Sequence, residues 1–198
     1  MNRRNFVKGS YSGLLYLAIG GSAFTMTGCN VFDDILAWVP VGLTALEGIT
    51  TVLGPLLGPG AAAVITIIKA GFADLSAAVS EYRSDTNPAD KATLLARIRT
   101  FLSDIVNNFQ SFLNALNLGN NPIINIVIGL VDVVLAAIEG FMGQLPPAPV
   151  GTKPVPKEFK LGTQVHVIVP KFYKSVGDFK RDYNSIATTN GHPEVIIH

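Results

Sequence analysis

From Ile35 to Gln144 the apolar residues of this 198-residue chain recur at steps of three and four, the spacing that lines one face of an α-helix. Asn30-Val31-Phe32-Asp33-Asp34 leads straight into Ile35–Val39, and either aspartate can cap a helix there. Pro40 is expected to interrupt or restart that helix, giving a second piece from about Val41 to Leu57. Gly58-Pro59-Gly60 is a break, followed by a helix over about Ala61–Tyr82 with Val64, Ile65, Ile68, Phe72, Leu75, Val79 and Tyr82 on one stripe. Asn87 as cap and Pro88 as first residue start a third helix to about Asn117. Its apolar face runs Leu94, Leu95, Ile98, Phe101, Leu102, Ile105, Val106, Phe109, Phe112, Leu113 and Leu116. Gly119 can end it and Pro122 start the next, a loop short enough for an antiparallel hairpin.

The fourth helix, about Pro122–Gln144, is apolar nearly all round. It needs cover on several sides, and segments 41–57 and 61–82 are available for that. Its exception is a strip of small or polar residues: Asn125, Gly129, Asp132, Ala136, Glu139 and Gly143. The strip reads as a solvent edge, because carboxylates are seldom buried unpaired; the alternative is a close helix contact or a carboxylate pair lining a pocket. Beyond a Pro-rich linker, Thr163–Val169 reads as a strand, Ser175–Ala187 as a short helix and Glu194–Ile197 as a last strand. Two strands and a helix are too little to stand alone, so the tail is expected to pack on the helices, pair with another chain, or both.

The first thirty residues show a different pattern. Arg3, Arg4 and Lys8, with no acid, precede a mostly apolar run from Leu14 to Met26. Charged start, short apolar middle and small residues at the end form the layout of an export signal, and the run is shorter than the ~20 residues that span a bilayer. Arg3-Arg4-Asn5-Phe6-Val7-Lys8 resembles the twin-arginine export motif, departing from it at Asn2 and Val7. Met26-Thr27-Gly28-Cys29 resembles the bacterial lipobox, in which a Leu-like residue and two small residues precede a lipidated cysteine; Cys29 is the single cysteine. The resemblance to a twin-arginine-exported bacterial lipoprotein covers residues 1–29 and implies an acyl anchor on Cys29. An uncleaved N-terminal membrane anchor is the alternative. Asn30 is not the aspartate that often retains lipoproteins at an inner membrane, which favours the outer membrane.

Charge changes this picture little. Residues 30–144 carry ten acids and five bases, residues 145–198 four acids and seven bases. Neither excess suits a nucleic-acid partner. His166, His192 and His198 have no second ligand at metal-binding spacing, and no P-loop, dinucleotide fingerprint or serine elbow occurs. No catalytic residue, metal site or cofactor is therefore assigned. Two stretches share an Ala-x-Glu-Gly pattern, Ala45–Gly48 and Ala137–Gly140, which chance explains.

The expected fold is mainly α: a signal peptide (1–28), a lipid-anchored bundle of about four helices (29–144), a Pro-rich linker (145–156) and a small C-terminal α/β tail (157–198). The expected function is non-catalytic. It is a structural or interaction module of the cell envelope, facing the periplasm or cell exterior, with the membrane as one partner and an envelope protein, met by the tail, as another. The alternative is a carrier of an apolar ligand held between the helices.

Overall fold

The computed structural model describes residues 15–116, 123–147, 158–161 and 164–198, and of residues 15–30, 55, 124, 159–161 and 164–166 the backbone alone. The fold is mainly helical. In chain order it comprises α1 (Leu15–Leu53), α2 (Pro59–Ser84), α3 (Pro88–Ala115), α4 (Ile123–Gln144), β1 (Glu158–Leu161), β2 (Gln164–Val167) and α5 (Val176–Thr189). The expected loop at Gly119–Pro122 and the linker over 148–157 lie outside the described residues.

Pro40 does not break the first helix; α1 runs through it for 39 residues. Proline removes one ladder bond, but Pro40 is exposed, so the carbonyl it strands lies on the wet side. Trp38 and Val39 before it, and Ala45 and Leu46 after it, are buried, and their packing outweighs the lost bond. The helix ends instead at Leu53. A 3-10 turn, Gly54–Leu56, comes next, with Gly54 at φ +42°, in the left-handed region that suits glycine. α2 then begins with Pro59 in its first turn.

α3 forms as its sequence predicts. Asn87 Oδ1 accepts from the Ala89 N–H at 3.1 Å, and the apolar face is buried except for half-buried Phe101. One member was not foreseen: Arg99 is 7% exposed, and its guanidinium donates to the Pro146 carbonyl, pinning the chain that leaves α4 against α3.

α2 and α3 form the most extensive helix pair; Gly71 admits Ile105 at the crossing. α1 runs antiparallel to α2, with Asp33–Arg83 (2.8 Å) toward one end and Glu47–Lys69 (3.3 Å) farther along. α4 is covered by α1, α3 and α5, whereas α2, expected to cover it, makes no close backbone approach to it among the described residues. Trp38 is the joint of the structure. Its ring meets Phe72 of α2 (5.6 Å), Phe141 of α4 (5.3 Å) and Phe179 of α5 (5.6 Å). Among the described residues, all the buried apolar residues but Leu94 form one cluster, which includes Phe179, Tyr183 and Val195 of the tail.

The expected α/β tail is not formed as such. β1 and β2 make an antiparallel ribbon of four residues each, Glu158 opposite Val167. Glu194–Ile197 is not a strand: Pro193–Val195 is a 3-10 turn, and Val195 and Ile197 enter the core. Pro193 lacks a ladder donor. Asn184 of α5 meanwhile satisfies Ile197 on both sides, accepting from its N–H (2.8 Å) and donating to its carbonyl (3.0 Å). α5 serves as a fifth helix, laying Phe179, Tyr183 and Ala187 on α1 and α4.

Candidate interaction site on the docked tail

The small residues of α1 and α4 determine where the tail sits. A Cβ on Gly48 would lie 2.5 Å from the Tyr183 hydroxyl, which donates to the Ala45 carbonyl at 2.8 Å. A Cβ on Gly140 would lie 2.4 Å from the Lys171 carbonyl oxygen, and the Lys171 N–H donates to the Ala136 carbonyl at 2.9 Å. Gly129 admits Ile186. The two Ala-x-Glu-Gly stretches thus have a physical role: each glycine admits one part of the tail to contact with its helix. The α4 strip is likewise not a solvent edge. Glu139 is buried, and Gly129, Asp132 and Ala136 lie half-buried beneath the tail, while Asn125 and Gly143 at its ends are exposed.

Between the strip and the tail lies a cleft of about 380 Å³. Gly129, Asp132, Val133 and Ala136 of α4 line one side. The stretch 167–171 and Asp182 and Ile186 of α5 line the others. Asp182 gathers its neighbours: Lys171 Nζ pairs with its carboxylate and lies 5.0 Å from the Tyr173 ring centroid. Burial, and then the Asp182 carboxylate to which its hydroxyl bonds, push Tyr173 far above the usual tyrosine range, so that hydroxyl stays protonated. The Tyr173 ring in turn meets Phe179 edge-on at 5.5 Å. At the rim, Val167 is 67% and Val169 73% exposed. Apolar walls, an ion pair and a further carboxylate on α4 equip the cleft for binding.

The sequence-assigned residues lie elsewhere. Arg3, Arg4, Phe6 and Lys8 are outside the described residues. Met26, Thr27, Gly28 and Cys29 fall on the backbone course of α1, with their side chains outside the description. His166 is likewise described by its backbone alone; His192 Nδ1 lies 2.7 Å from Glu194 Oε1, and His198 is exposed at the C-terminus. Among the described residues no group of three or more His, Cys, Asp or Glu is placed to hold a metal ion. Sequence reasoning missed Lys171, Tyr173 and Asp182. The one signal that led toward them was the α4 strip, whose small residues announce a close approach without saying what approaches.

Among the described residues, three helical stretches are long and apolar enough to cross a membrane: Val31–Leu53, Pro59–Ser84 and Asn125–Gln144. Membrane association is compatible with them. Asn125–Gln144 is largely buried in the bundle, whereas Pro59–Ser84 turns Ala63, Ile67, Ala70 and Ala77 outward. Comparison with protein-family models, curated proteins and solved structures finds no match to the chain.

Proposed function

We propose that the chain is a lipoprotein held at an envelope membrane through Cys29, and that its bundle serves there as a non-catalytic interaction module. The observation that carries this reading is how near the core comes to Cys29. Val31 and Phe32 are 2% and 1% exposed, two and three residues beyond the lipobox cysteine. Cleavage before Cys29 would leave every described residue of the apolar cluster in the mature chain.

The same spacing leaves no room for a tether. Phe32 packs on Tyr82 (4.1 Å), Lys91 lies 5.3 Å from the Tyr82 ring centroid, and Asp33 pairs with Arg83. That end of the bundle, with a tyrosine and two cations, would sit among lipid headgroups. Stable anchoring takes more than one acyl chain, which a processed lipobox cysteine supplies. In cells fed a labelled fatty acid, the wild-type chain is expected to carry label and fractionate with membranes. Cys29→Ala is expected to lose the label and remain uncleaved. Equal labelling of the two chains discards the anchor. The cleft gives the carrier reading some support, since its volume lies within the range of ligand sites. A stoichiometric lipid in an organic extract of the purified chain would promote that reading over this one.

A further inference from the structure

Trp38, the aromatic joint of the fold, is 1% exposed, and its Nε1–H has no acceptor among the described residues. A buried donor in that position has given up its bond to water without return. Trp38 also lines a small cavity of about 20 Å³, where α1, α4 and the turn before α5 meet. The other walls are Asp34, Phe141, Tyr173, Ser175 and Val176.

Two of those walls can accept a hydrogen bond. Asp34, one helical turn before Trp38, is half-buried. Burial, and then neighbouring Asp33, raise its carboxyl above the ordinary aspartate value, and no hydrogen bond from a described group lowers it. Ser175 Oγ accepts from the Asp178 N–H at 3.2 Å and donates to Asp178 Oδ2 at 3.1 Å, which leaves it a second lone pair. The Tyr173 hydroxyl is taken by Asp182. The side chains of Phe141 and Val176 close the rest with apolar atoms.

We infer that this cavity is the binding site of one water molecule, which accepts from Trp38 Nε1–H and donates to the Asp34 carboxylate and to Ser175 Oγ. The space suits it: a buried water needs about 10–15 Å³ and two to four polar partners, and makes about three bonds. The groups select it as well. A cation would face the indole N–H dipole and an anion would face the Asp34 carboxylate, whereas water serves donor and acceptor together. The volume is far below that of a pocket for an organic ligand. The bridge would join α1 to Ser175, the N-cap of α5, and so add a polar latch to the aromatic contacts that seat the tail. Neither the Cys29 anchor nor a partner in the cleft is needed for it.

Trp38 is the single tryptophan, so its indole N–H gives one magnetic-resonance signal. The material is the full chain in detergent, isotope-labelled at the indole nitrogen, and the probe is solvent water. Cross-relaxation between that proton and water is expected, with opposite signs in the laboratory and rotating frames, the mark of a water held inside the protein. Asp34→Asn keeps an acceptor of the same size and should keep the signal. Asp34→Leu removes the acceptor and should abolish it, with the indole contacts to Phe72 and Phe141 unchanged. Ser175→Ala removes the hydroxyl that could relay exchange with solvent, and the signal should persist because the water retains two partners. Absence of cross-relaxation in the wild-type chain overturns the site. So does a signal at full strength in Asp34→Leu, or one lost from Asp34→Asn or Ser175→Ala while the indole contacts stay intact.

Discussion

Trp38→Ala is expected to cost about 3–5 kcal/mol, a large share of the ~5–15 kcal/mol that holds a domain folded. The indole is buried between α1, α2, α4 and α5, edged by Phe72, Phe141 and Phe179. Gly42, one turn on, packs against its ring atoms, with a Cβ there placed 3.0 Å from the nearest. Four helices cannot collapse together into the hole, so the cavity cost adds to the lost transfer energy. Trp38→Phe should cost well under half as much, because it keeps an aromatic ring and removes a buried Nε1–H that has no acceptor among the described residues. The two variants are compared by denaturant midpoint at unchanged slope, and by melting temperature, where the alanine variant should fall by roughly 10 °C. A loss below about 1 kcal/mol for Trp38→Ala would show that the four helices do not meet on this residue.

Gly140→Ala is the second large effect. The added methyl meets not a yielding side-chain tip but the backbone of Lys171 and Phe172, at 2.4–2.8 Å. The segment must move away, and the Lys171 N–H to Ala136 carbonyl bond lengthens or breaks. Overpacking of this kind costs about 1–3 kcal/mol, which outweighs the ~1 kcal/mol of helix propensity that alanine regains. The loss should be local. Amide exchange should rise across 168–173 and in α5, while the α2–α3 pair keeps its protection. Gly143→Ala, one turn on and with nothing within 4 Å of its added Cβ, is the control and should leave both regions unchanged or slightly stabilised. Unchanged protection at Lys171 in Gly140→Ala would mean that the tail is not seated on α4.

These glycines also mark how far the sequence could be read. α3 was legible because everything that makes it lies within it: a cap, a proline in the first turn and one unbroken apolar face. Pro40 misleads because its local cost is fixed by chemistry, while the compensation comes from Trp38, Ala45 and Leu46, whose burial depends on helices distant in sequence. Glu194–Ile197 misleads in the same way, since Asn184 supplies the backbone bonds that a strand neighbour would have made. The α4 strip and the two Ala-x-Glu-Gly stretches are visible as patterns. What they pack against is not, because Lys171, Tyr183 and Ile186 reach them through a turn of the chain that has no period. Lys171 and Asp182 likewise pair across eleven residues, a separation that no helical or strand repeat singles out.

In the proposed anchoring, the bundle is tied to a membrane at Cys29, two residues before buried Val31. The intact mass of the chain extracted from membranes tests it most directly. The expected product is a protein that begins at Cys29, lacks residues 1–28, and carries the added mass of a diacylglyceryl group. A chain that begins at Met1, or one that begins at Cys29 with no acyl mass, would contradict the claim.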